Sequence, residues 1–243
     1  MNDIAGNIAA FPMFIPHFTW KYIHDVHHAH VGNLDRRHEN PETWTMTVAE
    51  YNSSNRLKKG LYRFMRSRFW RFAVAPWAVF GVLMRFPNTK FDWKGNVSVI
   101  VYDMLYIGIA WWLLQHFSIA VVLVSAALPL VGFFTIAFYV FYAQHQFEDT
   151  YWEYTDDWNY AAASFHGSTY LSAPKWFHWL SGNVMHHNIH HVISSIPNYN
   201  LAKAHAALSK EIEYPEISIF ETWNLLDFKL WDEEKKKMVG FPS

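Results

Sequence analysis

Between Phe117 and Tyr142 the chain carries no charged residue, and this run limits the possible folds more than any other feature. A charge-free stretch of this length satisfies its own backbone as a helix and can cross a bilayer. Just before it, Val97 to Leu114 is about long enough to cross once. It is interrupted by Asp103, which would have to face protein rather than lipid. The turn between the two runs, Gln115 and His116, has no Lys or Arg, so the positive-inside preference makes it the outer end of a helical hairpin. Two crossings return the chain to its starting side, whereas a third would not. The remaining apolar stretch, Phe69 to Met84, is short and carries Arg71 and Pro76, so it is expected to lie in the interface or dip halfway. Residues 1–23, apolar and aromatic but broken by Pro12 and Pro16, read as a short membrane-facing segment.

On either side of the hairpin stands a copy of the pattern HxxHH: His24, His27 and His28, then His187, His190 and His191. Positions i, i+3 and i+4 share one helix face, so each copy presents three imidazoles together. A single histidine of this kind is more often a satisfied core residue, but identical spacing twice suggests two triplets closing on one metal centre. The chain has no cysteine, so a metal here is held by imidazole and oxygen. Six imidazoles exceed the four ligands zinc generally takes, and suit two iron or two manganese ions. His145, at the inner end of the last apolar run, either adds a ligand or caps a helix C-terminus, and spacing leaves both open. His17, His30, His38, His116, His166, His178, His186 and His205 share no ligand spacing and read as surface or packing residues. Acids such as Asp25, Glu148 and Asp157 are candidates to hold the second ring nitrogen of a ligand.

Twenty basic against 21 acidic residues give a net charge of −1, without the basic excess that phosphate binding needs, so no nucleic-acid partner is expected. Aromatics at 19%, with 13 Trp, suit a lipid interface. A mean hydropathy of −0.07 argues for a small membrane part and a large polar one. No cleavable signal peptide is expected. Val31 to Tyr51 is polar and turn-rich, with Asp35, Arg36 and Arg37. The basic run from Arg56 to Arg71 reads either as a solvated helix face or as a loop held against anionic headgroups. Both place it on the cytoplasmic side. From Gln144 onward the chain is soluble in character. No sustained period-two alternation appears, so helices should dominate. The expected fold is an all-α integral membrane protein in one domain over 1–243, with one transmembrane helical hairpin, interfacial helices and a cytoplasmic helical cap carrying a di-metal histidine site. A nitrogen-rich metal pair at a membrane suits oxygen activation, and the expected substrate is a lipid chain in an aromatic-lined slot.

Further blocks are specific. His24-Asp25-Val26-His27-His28 with Leu34-Asp35-Arg36-Arg37, Gln144 through Glu153, Gly182-Asn183 through Leu201, and the closing Leu230-Trp231-Asp232 and Gly240-Phe241 together resemble the membrane fatty acid desaturases of the bacterial acyl-lipid, Δ12 (omega-6) type. The resemblance implies a non-haem di-iron enzyme that uses O2 and two electrons from a ferredoxin-like or cytochrome-type donor to insert a cis double bond into a membrane lipid acyl chain. It implies His24, His27 and His28 as the family's second histidine box, His187, His190 and His191 as the third, and His145 as an additional ligand. It places the protein in a bacterial inner membrane with the boxes on the cytoplasmic side. It also implies a first box, HDxxH, ahead of Asn2, preceded by two transmembrane helices. Residues 1–23 hold no HxxxH, His17 standing alone, so an N-terminally truncated chain with incompletely held irons is expected.

Three alternatives stay open at this point. A lipid hydroxylase would use the same oxidant, and an inactive membrane remnant would follow from the missing box. A zinc-dependent membrane hydrolase would need a Glu or Asp base that no spacing supplies.

Overall fold

The computed structural model describes residues 2–39 and 44–242, so part of the turn-rich stretch 31–51 lies outside the described residues. Helix α1 (Asn2–Ala10) ends in a 3-10 turn over Phe11–Met13 around Pro12, and Pro16 directly precedes α2 (His17–His30). Helix α2 stops at Gly32, whose φ of +71° only glycine adopts readily; a Cβ there would also stand 2.7 Å from the Tyr151 carbonyl oxygen. A two-residue strand β1 (Met46–Thr47) leads into α3 (Val48–Ser53). The start of α3 is a capping box: Glu50 N donates to Thr47 Oγ1 at 3.2 Å, and Thr47 N donates to Glu50 Oε2 at 2.9 Å. Helix α4 (Arg56–Met65) is capped by Asn55, whose Oδ1 accepts from Lys58 N at 2.9 Å.

The stretch Phe69 to Met84 is helical, with wide π turns at Trp70–Val74 and Trp77–Val82 and a 3-10 turn at Leu83–Arg85. Pro76 sits between the π turns in helical conformation (φ −58°). The widened turns take up a residue that cannot donate and crowds the turn before it. Helix α5 (Trp93–His116) is capped by Asp92, whose Oδ1 accepts from Gly95 N at 2.7 Å. After Phe117 and Ser118, α6 (Ile119–Val122) continues through a π turn at Leu123–Ala127 into α7 (Leu128–His145), making one rod from Ile119 to His145.

The remaining helices and strands among the described residues are α8 (Tyr160–His166), β2 (Tyr170–Ser172), α9 (Lys175–Leu180), α10 (His187–Val192), α11 (Asn198–Leu208), β3 (Glu216–Ser218), β4 (Leu230–Asp232) and β5 (Lys237–Val239), with further 3-10 turns at Arg37–Glu39 and Thr222–Asp227. Strand β4 pairs in parallel with β1 (Met46 opposite Leu230) and antiparallel with β5 (Trp231 opposite Met238), while β2 and β3 pair in parallel (Leu171 opposite Ile217). The helical expectation holds for most of the chain but not for these strands. At two or three residues each they are too short to print an alternation in the sequence.

The chain groups into two compact units, Met1–Asp25 with Phe64–Tyr139, and Val26–Arg63 with Val140–Ser243. In the first, Phe134 is fully buried among Ala75, Phe80, Met84 and Phe138. Asp103 has the protein partner its position demands: Arg85 Nη1 donates to its Oδ1 at 3.1 Å, and Arg85 Nη2 donates to the Phe14 carbonyl at 2.9 Å. Both α5 and the rod Ile119–His145 are long and apolar enough to cross a membrane, and only 17% and 6% of their most apolar windows are buried within the protein. Core helices of a soluble protein would be covered; these turn their Ile, Leu and Trp side chains outward.

The second unit has three small cores: Val140, Ala143, Phe147, Leu171, Met185 and Leu225; Leu34, Trp152, Trp231 and Met238; and Met46, Tyr51, Tyr62 and Leu230. The first of them fixes the end of α7. Gln144 Nε2 donates to the Val184 carbonyl at 2.8 Å, Thr169 N donates to the Gln144 carbonyl at 3.0 Å, and Leu171 N to the Met185 carbonyl at 3.0 Å. These bonds fasten the loop entering α10 to the end of the rod.

Candidate metal centre

Within the second unit, three helices deliver ring nitrogens to one place. His27 lies on α2, His145 is the last residue of α7, and His187 and His191 stand one turn apart on α10. Their Nε2 atoms close a four-membered ring, with His27 to His145 at 3.2 Å, His145 to His187 at 2.9 Å, His187 to His191 at 3.1 Å and His191 to His27 at 3.3 Å. All four residues are buried.

Hydrogen bonding cannot account for this ring. The Nε2 of a neutral imidazole either donates one bond or accepts, and adjacent donors repel, so at most two of the four edges can be bonded. His145 is further committed, because its Nδ1 donates to the Gly167 carbonyl at 2.8 Å and its Nε2 therefore presents a lone pair. A cation at the centre satisfies all four nitrogens. Corners of a square with these edges stand about 2.2 Å from its centre, and puckering toward a tetrahedron shortens that to about 1.9 Å, which brackets an imidazole–metal bond. The donor set therefore fits a transition metal.

Burial first, then the imidazoles of His187, His145, His27 and His28, hold His191 well below the ordinary histidine value, and burial lowers that of His190. Both are thus neutral near neutral pH, the form in which imidazole ligates. His28 and His190 make a second pair, Nε2 to Nε2 at 3.0 Å, and the His28 ring stacks on His191 with centroids 4.2 Å apart. His24 stands one turn before His28 on α2, its ring stacked on Trp20 at 5.3 Å. The sequence triplets are therefore not kept as triplets. His27 and His28, neighbours in the chain, enter different groups, as do His190 and His191.

The other histidines take ordinary roles. His17 faces Asp3 at 3.3 Å, His30 faces Glu39 at 3.2 Å, and His116 Nδ1 lies 2.9 Å from the Trp112 carbonyl. His178, His186 and His205 pack around the Tyr170 ring, with centroids at 5.8, 4.8 and 4.1 Å. The carboxylates expected behind the ligands are elsewhere: Glu148 accepts from Lys237 Nζ at 2.8 Å, and Asp25 and Asp157 are exposed. For His145 a backbone carbonyl does that work. Sequence reasoning missed Gly167, for which no local pattern exists, and Phe141, for which one does. Phe141 lies one turn before His145, and its ring covers the cluster at 5.0 Å from His27, 4.9 Å from His145 and 6.1 Å from His187.

A sequence model of the family described as fatty acid desaturase matches residues 1–223. The chain is 32% identical over 241 residues to a fatty acid desaturase of Bacillus subtilis (strain 168), covering 99% of this chain and 68% of that protein. It is 26% identical over 223 residues to the sn-1 oleoyl-lipid 12-desaturase of a Picosynechococcus strain, covering 86% of this chain and 60% of that protein. A chloroplastic omega-6 fatty acid desaturase of Glycine max is 26% identical over 214 residues, covering 86% of this chain and 49% of that protein. The chain thus spans from about half to about two thirds of the length of these relatives.

Proposed function

Because the chain belongs to the fatty acid desaturase family, we propose that it introduces a cis double bond into the acyl chain of a membrane lipid, drawing electrons from a ferredoxin-like or cytochrome-type donor. The observation that carries this reading is the closed ring of four Nε2 atoms, two of whose four close contacts hydrogen bonding cannot account for. His27, His145, His187 and His191 would hold one metal, and His24, His28 and His190 the other. Two non-haem irons bound there would supply, with O2, the oxidising power that side chains lack for an unactivated methylene.

What the protein's own residues contribute is position and dryness. The Gly167 carbonyl sets the tautomer of His145. Burial keeps His190 and His191 neutral, and the Phe141 ring keeps water from the His27, His145 and His187 side. The bare apolar surfaces of α5 and the rod Ile119–His145 support a membrane hairpin. It would bring the histidines to the cytoplasmic side of a bacterial inner membrane, with the whole chain working as one desaturase domain. Relatives named for oleoyl-lipid and omega-6 desaturation favour an acyl-lipid substrate.

The gene, expressed in a host lacking polyunsaturated lipids with reduced carrier supplied, is expected to yield a dienoic chain by gas chromatography. Iron-loaded protein in the membrane with no new product sinks the reading. A product that gains oxygen, rather than losing two hydrogens, makes the protein a hydroxylase.

A further inference from the structure

Helix α4 is set with its apolar row facing outward. Tyr62 fixes the rotation: it is buried, its hydroxyl donates to the Lys229 carbonyl at 2.6 Å and accepts from Met46 N at 3.0 Å, and its ring meets Trp44 edge-on at 5.2 Å. Successive residues turn by about 100°, so Leu57, Leu61 and Phe64 lie together on a face turned away from Tyr62. They are 82%, 57% and 47% exposed. A solvated helix face would show the reverse, with leucines inward and polar groups outward. The helix also carries Arg56, Lys58, Lys59 and Arg63 and no acidic residue. Lys59 Nζ donates to the Asn52 carbonyl, and the Arg63 guanidinium lies over the Phe241 ring at 4.6 Å. Arg56 and Lys58 are exposed and make no ion pair among the described residues.

We infer that α4 docks on an anionic bilayer surface, with Leu57, Leu61 and Phe64 among the upper acyl carbons and Arg56 and Lys58 against lipid phosphates. Three large apolar side chains flanked by unopposed cations match such a surface in both polarity and charge. The inference rests on the membrane placement proposed above but not on the desaturase chemistry.

The test uses the absence of cysteine. A Leu57→Cys variant of the full chain, labelled with an environment-sensitive fluorophore, is reconstituted in phosphatidylcholine with or without phosphatidylglycerol. A Lys210→Cys variant, at another exposed position, serves as the water-facing control. With phosphatidylglycerol the Leu57 label should be quenched roughly twofold or more by nitroxide-bearing acyl chains and spared by iodide, and the Lys210 label the reverse. Adding Arg56→Gln and Lys58→Gln should reduce the lipid quenching. Iodide quenching of the Leu57 label in both membranes overturns the proposal. Protection from both quenchers also overturns it, because a protein, whether a second copy or another partner, then covers the row. Equal lipid quenching with and without phosphatidylglycerol overturns the anionic assignment. If alkaline carbonate strips the chain from the vesicles, the membrane placement itself has failed, an outcome distinct from a solvated α4 on an inserted chain.

Discussion

Gly167 matters for a carbonyl and for the side chain it lacks. Its N donates to the Ala163 carbonyl at 2.8 Å at the end of α8, and a Cβ built on it would collide with that same oxygen. Relieving the collision must move the peptide whose carbonyl holds His145 Nδ1. Gly167→Ala is therefore expected to weaken metal binding by about 10-fold or more, measured by competition with a chelator, while helix content by circular dichroism stays unchanged. Unchanged metal affinity would show that His145 is oriented by something else. The histidines were legible because HxxHH at helical spacing is a local pattern. The Gly167 carbonyl was not, since it lies 22 residues from His145 along the chain and acts through its backbone, which any residue type possesses.

Among the elements, α3 shows how a short helix is held at its start. Six residues are too few to be stable alone. The reciprocal bonds of Thr47 and Glu50 satisfy two backbone N–H groups that would otherwise lack partners. Thr47→Ala should cost about 1 kcal/mol, seen as a fall of a few degrees in the unfolding midpoint of the detergent-solubilised protein. Thr47→Ser should cost much less, because its hydroxyl keeps the cap. Long elements such as α5 and the rod were readable from apolar run length alone. The passage through Pro76 was not. A proline ordinarily signals a break, and the neighbouring π turns that absorb it have no sequence signature. The strands were invisible for a different reason: their pairing is set by contacts such as Met46 with Leu230, far apart in the chain.

At the scale of the whole molecule, titration behaviour follows from histidines outside the metal groups as well as within them. Burial, and then His205 and His178, push His186 down to about 4, while burial lowers His178 and His205 below the ordinary value of 6.5. The unfolded chain takes up these protons near 6.5 and the folded chain refuses them, so stability is full above that pH. It should be lost progressively as pH falls from about 6.5 toward about 4, where His186 protonates in the folded state too. Thermal unfolding in detergent across that window should show a steadily falling midpoint, and a midpoint that stays flat below 6.5 would contradict it. The ring of four nitrogens has a consequence of its own for the molecule at large. It joins positions up to 164 residues apart, so an ion seated there acts as a cross-link that closes very long loops, and the bare protein keeps the crowded lone pairs without the tie. Removing such an ion would then be an unfolding treatment, and a chelator should lower the unfolding midpoint of the metal-loaded protein.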